Sequence, residues 1–104
     1  MMRVHISDFA RQQILETASY IQREFGKWYR DNFMQKVRET KLLLAANPQL
    51  GPVEPSLSIL PKTYRSIVVA RLNKMVYYIE GDVIEVSDFW NCRQSPERLS
   101  DRIK

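Results

Sequence analysis

The sequence predicts a single α+β domain in which an N-terminal strand and an antiparallel helical hairpin pack on an antiparallel β-meander of three further strands, with a short C-terminal helix. Three observations carry this expectation. Apolar residues recur at helical spacing from Ala10 to Leu44, prolines cluster from Pro48 to Pro61, and the stretch from Tyr64 to Trp90 is β-rich with two tight breaks.

The opening Arg3-Val4-His5-Ile6 is apolar at alternate positions and runs into Ser7-Asp8, a residue pair suited to an N-cap and a first helical turn. It reads as a strand feeding a helix. From Asp8 to Phe25, the residues Ala10, Ile14, Ala18, Ile21 and Phe25 share one helical face, and Gly26 supplies a stop. A second helix starts near Lys27. Its face is Tyr29, Phe33, Val37 and Leu44, while Arg30, Lys36, Glu39 and Lys41 lie largely elsewhere, and Asn47-Pro48 ends it. Two long amphipathic helices joined by so short a connection must fold back on each other.

Residues 47–61 hold Pro48, Pro52, Pro55 and Pro61 with Gly51, so this segment reads as a loop long enough to be a candidate contact surface. Three β-rich runs follow, Tyr64 to Leu72, Met75 to Glu80 and Val83 to Trp90. Asn73-Lys74 and Gly81-Asp82 are the expected turns of a meander. The first strand joins this sheet at an edge, and the helical hairpin covers one face. Ser95-Pro96 then opens a last helical turn or two through Ile103.

A chain of 104 residues, 44% of them hydrophobic, supports one core spanning 1–104 and needs no metal or disulfide to fold. The single cysteine, Cys92, can form no internal bridge and lacks metal-site spacing, which fits a reducing cytoplasm. Residues 1–15 carry polar and charged groups throughout, unlike a secretory leader, and no stretch is apolar enough to span a bilayer. A net charge of +4 and a pI near 9.4 favour a polyanionic partner, either nucleic acid or an acidic protein segment; the competing reading is ordinary solubilising charge.

The order of these elements carries a family resemblance. The residues behind it are Ser7-Asp8-Phe9-Ala10, Asn47-Pro48 with Leu50-Gly51, Tyr64-Arg65-Ser66-Ile67-Val68-Val69, and Asn73-Lys74-Met75-Val76-Tyr77-Tyr78. To these is added the tail from Ile84 to Pro96, a closing strand that ends in Arg93, a short polar step and a proline. Over nearly the whole chain this resembles the RelE/ParE toxin superfamily of type II toxin–antitoxin systems. The resemblance implies a cytoplasmic toxin that arrests bacterial growth and is neutralised by an antitoxin protein wrapped around it. It also implies a target, which is DNA gyrase for ParE-like members and messenger RNA in the ribosome for RelE-like members.

Cleavage of RNA without a metal needs a base, an acid and positive charge at the phosphorane. Arg65 and Arg71 share parity along one strand, Lys74 sits in the following turn and Arg93 ends the last strand; these four are the candidate target-binding residues. By resemblance, Arg65 and Arg93 match the catalytic basic positions of RelE-like nucleases. The competing reading makes all four ordinary edge or surface cations. Acid–base candidates are fewer. His5, the only histidine, falls in the first strand, and Tyr64, Tyr77 and Tyr78 read as core aromatics. RelE-like nucleases carry a reactive tyrosine after the last strand, and Gln94 to Lys104 contains none. With its long, tightly joined helices the chain is closer to the ParE branch, which needs a shaped, charged surface and no catalytic set. No cofactor is expected. Asp82, Glu85 and Asp88 are too dispersed along their strand for a metal site, with Asp88 at opposite parity to Glu85. Phe89 and Trp90 read as a hydrophobic anchor rather than a base-stacking platform.

Overall fold

The computed structural model describes residues 1–70, 72–91 and 96–103. In chain order these form β1 (Arg3–Ile6), α1 (Asp8–Phe25), α2 (Lys27–Ala46), a 3₁₀ turn at Pro55–Leu57, β2 (Arg65–Ala70), β3 (Asn73–Glu80), β4 (Val83–Asn91) and α3 (Pro96–Ile103). The strands make one sheet in the order β1-β4-β3-β2. The meander expected from the sequence is present as β2-β3-β4, and β1 joins the edge of β4 in parallel. A parallel pair cannot be closed by a tight turn, and here most of the chain lies between β1 and β4.

Local chemistry fixes the junctions. Ser7 caps α1 by accepting the Ala10 N–H at 3.1 Å, and its own hydroxyl donates to the Ser87 carbonyl at 3.3 Å. The start of α1 is thereby pinned to β4. Gly26 alone joins α1 to α2, at φ 101°, a conformation that side chains other than hydrogen resist. The two helices pack on each other, α1 against β4 and α2 against β1 and β2.

Both faces of the sheet are covered. On the first, Ala10, Ile14, Ala18, Phe33, Val37 and Leu44 of the helices meet Val69, Met75, Tyr77, Ile84, Val86 and Phe89 of the strands. Phe33 and Phe89 meet edge to face at 5.7 Å. On the second face, Val76 and Trp90 lie beneath Leu57 of the proline-rich loop and Leu99 of α3, with Tyr64 beside them. Residues 75–77 of β3 are accordingly all fully buried.

A bulge in β4 decides which residues see which face. Val76 pairs with Asp88 but Tyr77 pairs with Val86, so Ser87 is the extra residue. The alternation is thus reset, and Asp88 and Trp90 join the face of Glu85 rather than that of Val86. This corrects the parity argument that set Asp88 opposite Glu85. Asp88 is wholly buried and accepts from the Arg102 guanidinium at 2.6 Å and from the Phe89 N–H at 2.7 Å. Arg102 also lies over the Trp90 ring at 4.6 Å and the Phe9 ring at 5.0 Å. Burial raises the Asp88 pKa above its ordinary value, and the charge and hydrogen bond of Arg102 offset part of that rise.

The first turn of the meander also differs from expectation. Asn73 and Lys74 are strand residues, since Asn73 pairs with both Ala70 and Asn91, and the connection falls between Ala70 and Asn73. Ladder pairing on both sides of β3 outweighs the turn propensity of asparagine. The proline-rich segment is anchored by Tyr77, whose hydroxyl donates to the Pro48 carbonyl at 2.8 Å and accepts the Gly51 N–H at 2.9 Å.

Two substitutions test this packing. A Cβ on Gly51 would stand 2.5 Å from the Ser66 carbonyl oxygen and 2.9 Å from the Tyr77 hydroxyl, both fixed in place. Gly51→Ala should cost about 3 kcal/mol in urea unfolding. Arg102→Met should cost a similar amount, about 3 kcal/mol, because it strands a buried carboxylate, and Asp88→Asn in the same chain should recover part of that loss.

Candidate functional site

Arg65 opens β2 on the outer edge of the sheet. Paired across the ladder with Tyr77, it lies on the helix-covered face and is half-buried. Its Nη1 donates to the Gly51 carbonyl at 2.9 Å and lies 3.5 Å from that of Gln49. Tyr77 and Arg65 therefore hold the same short loop from two sides. Arg65 also lines a groove of about 370 Å³ with Gln49, Lys62, Thr63, Tyr78 and Glu80. In that groove Lys62 lies 4.1 Å above the Tyr78 ring and 3.7 Å from Glu80. Lys62 and Glu80 were not singled out from the sequence; their only signal there is a cation flanking the proline-rich loop and a carboxylate at the end of a strand.

Lys74 is on the other face. Its neighbours across the ladder are Val68 and Trp90, and its ammonium is bound to Glu54 of the proline-rich loop. Glu54 also accepts from the Ser66 hydroxyl at 3.0 Å and from the hydroxyl and N–H of Ser56. The Glu54 side chain is only 6% exposed and that of Lys74 only 20%. Burial opposes ionisation of Glu54, but the hydrogen bonds from Lys74, Ser56 and Ser66 outweigh it and hold the carboxyl below the usual carboxylate range. Arg65 and Lys74 thus diverge to opposite faces. Arg71 and Arg93 lie outside the described residues, as does Cys92.

The chain's histidine and its tyrosines all lie among the described residues. Its only histidine, His5, is on β1 at the far edge of the sheet from Arg65, where it shares a 2.6 Å hydrogen bond with Glu85. Of its five tyrosines, Tyr20 and Tyr29 are on the helices and Tyr64, Tyr77 and Tyr78 on or beside the sheet. Burial raises the pKa of Tyr64 and of Tyr77, so neither is a base at neutral pH. Phe89 and Trp90 are 3% and 1% exposed and offer no ring to a base. Among the described residues, no group of three His, Cys, Asp or Glu side chains could hold a metal ion.

The Glu54 cluster carries a pH signature. Folding lowers the Glu54 pKa, so as pH falls the unfolded chain takes up this proton first. The stabilisation is complete above the ordinary value of 4.5 and is lost as pH drops through the lower folded value. Glu54→Gln should lower stability by about 2 kcal/mol at neutral pH. That deficit should shrink on acidification below 4.5, which urea titrations across that range would measure.

Residues 4–96 match the family model described as ParE toxin of type II toxin-antitoxin system, parDE. No curated protein matches the chain significantly. Among solved structures it is similar to the chromosomal ParDE TA system from P. aeruginosa, with a TM-score of 0.71 and 16% identity over 88% of this chain and 96% of that one. It is also similar to the YoeB dimer from Staphylococcus aureus, with a TM-score of 0.56 and 20% identity over 84% of this chain and 92% of that one. The YoeB-YefM complex from Staphylococcus aureus gives a TM-score of 0.51 at 17% identity, over 86% of this chain and 94% of that one. Among the described residues no helix is long and apolar enough to cross a membrane. The family model covers nearly the whole fold, from the first strand into the start of α3, and on that basis the chain belongs to the ParE toxin family of type II toxin–antitoxin systems.

Proposed function

We propose that this toxin arrests growth by binding and inhibiting DNA gyrase in the cytoplasm, without chemistry of its own, and that a cognate antitoxin masks it. The observation that carries the reading is that, among the described residues, no acid–base pair surrounds the candidate cations. Lys74 is committed to Glu54, the histidine is at the opposite edge from Arg65, and both tyrosines with shifted pKa values stay protonated at neutral pH. Binding asks less of the site. It needs a fixed surface with placed charge, and Arg65 and Lys62 supply this on the groove beside the loop. Arg71 and Arg93 remain candidate contacts on sequence grounds.

One observation favours the rival reading, a ribosome-dependent messenger RNA endonuclease. Glu80 shares the groove with Lys62 and Arg65, which puts a carboxylate beside two cations. No histidine lines the groove to complete an acid–base pair, so it is better suited to holding a partner than to breaking a phosphodiester.

Supercoiling of relaxed plasmid by purified gyrase separates the readings. Inhibition that rises with toxin concentration and is reversed by the antitoxin is the expected result. Normal supercoiling at saturating toxin would remove the gyrase assignment. Codon-phased breaks in transcripts after induction would establish the nuclease instead, and growth unaffected by the toxin alone would leave only a binding role.

A further inference from the structure

The edge of the sheet lacks a neighbour at the end of β3. Pairing with β2 stops at Arg65 and Tyr77, so Tyr78, Ile79 and Glu80 run on with β4 alone beside them. The Ser66 N–H turns outward, to the Pro52 carbonyl at 3.1 Å, and Arg65 therefore directs its backbone groups inward to Tyr77. By the alternation of an antiparallel ladder, the Ile79 N–H and carbonyl point the same way as those of Tyr77, to the side that β2 has left. Among the described residues no strand or bridge lies against Ile79 there. The groove of about 370 Å³ opens at this place, lined by Lys62, Thr63 and Arg65 as well as Ile79 and Glu80. At Gln49 and Ile79 it meets a second groove, of about 550 Å³, whose lining includes Met2, Pro48 and Leu50. The two make one trough along an open strand edge, cationic at one end and apolar at the other.

We propose that this trough seats the antitoxin: an extended segment of that protein, with an acidic residue beside apolar ones, adds to the edge of β3 at Ile79. The inference rests on the reading that an antitoxin masks this toxin, and it is independent of whether gyrase is the target. Backbone, charge and apolar lining all select such a segment. An extended peptide supplies the carbonyl and N–H that complete the Ile79 pairing, which a nucleotide strand does not. The charge is of matching size. Lys62 is 3.7 Å from Glu80, and Arg65 spends one nitrogen on the Gly51 carbonyl at 2.9 Å, so two cations against one carboxylate leave a single net positive charge. One carboxylate answers it, whereas a nucleic acid brings a charge with every nucleotide and sets them against Glu80. The apolar end, where Leu50 is 46% exposed, takes a hydrophobic side chain of the same segment. Masking follows from position. Arg65 and Lys62 are also the cations proposed to touch the target, so a segment lying on them excludes that contact.

Amide exchange followed by NMR, on the toxin alone and on its complex with the purified cognate antitoxin, tests this. The Ile79 amide should slow by at least about tenfold in the complex, while those of Tyr78 and Glu80, already bonded to β4, change little. Lys62→Glu, at a half-exposed position, should keep the native circular dichroism and weaken antitoxin binding by about tenfold. An Ile79 amide that exchanges as freely in the saturated complex would overturn the proposal, as would an affinity indifferent to Lys62→Glu. If the protein encoded beside the toxin gene does not bind the toxin at all, the antitoxin reading itself fails and takes the proposal with it. Lys62-dependent binding of a single-stranded oligonucleotide, with Ile79 unprotected by the antitoxin, would also overturn it and assign the groove to nucleic acid.

Discussion

A sheet covered on both faces leaves its inward polar groups no water, and this constraint organises the molecule. The helical hairpin covers one face, while the proline-rich loop and α3 cover the other. Any charged side chain caught beneath them must bring a partner or be neutralised. Glu54 answers with Lys74, Ser56 and Ser66, and Asp88 with Arg102. In each case the loop or the C-terminal helix supplies one half of an ion pair and the sheet the other. These pairs fix where the coverings sit more than they add net stability, since desolvation consumes much of the attraction.

The same constraint separates structural cations from available ones. Lys74 has the composition of a ligand-binding residue but is spent on holding the loop. Arg65 is divided, with one nitrogen on a loop carbonyl while the residue also lines the groove. Lys62, outside both cores and half-exposed, is the freer of the groove's cations. A toxin that acts by binding can afford such economy because it needs a few charges in fixed positions. A nuclease would need a proton donor and acceptor among them as well.

Apolar surface is distributed just as unevenly. Phe33 of α2 is inserted into the core against Phe89, whereas Phe25, Trp28 and Tyr29, a turn or two away, face outward. Helical period explains part of this, since only one stripe of each helix can reach the sheet.

Local sequence determined the elements. Ser7-Asp8, Gly26 and Asn47-Pro48 mark helix ends through capping, left-handed backbone freedom and the missing proline N–H, and all three act within a turn of themselves. The apolar period likewise placed Ala10, Ile14, Ala18, Phe33, Val37 and Leu44 on the core faces, but it also placed Phe25 and Tyr29 there, and these are 62% and 56% exposed. The faces and partners were decided only by tertiary structure. One extra residue at Ser87 reverses the alternation of β4, and no local pattern announces it, because the bulge is set by register against β3 and by the bond from Ser7. Glu54 and Lys74 are 20 residues apart and Asp88 and Arg102 are 14 apart, so whether each charge faces water or an opposite charge depended on where distant segments came to rest.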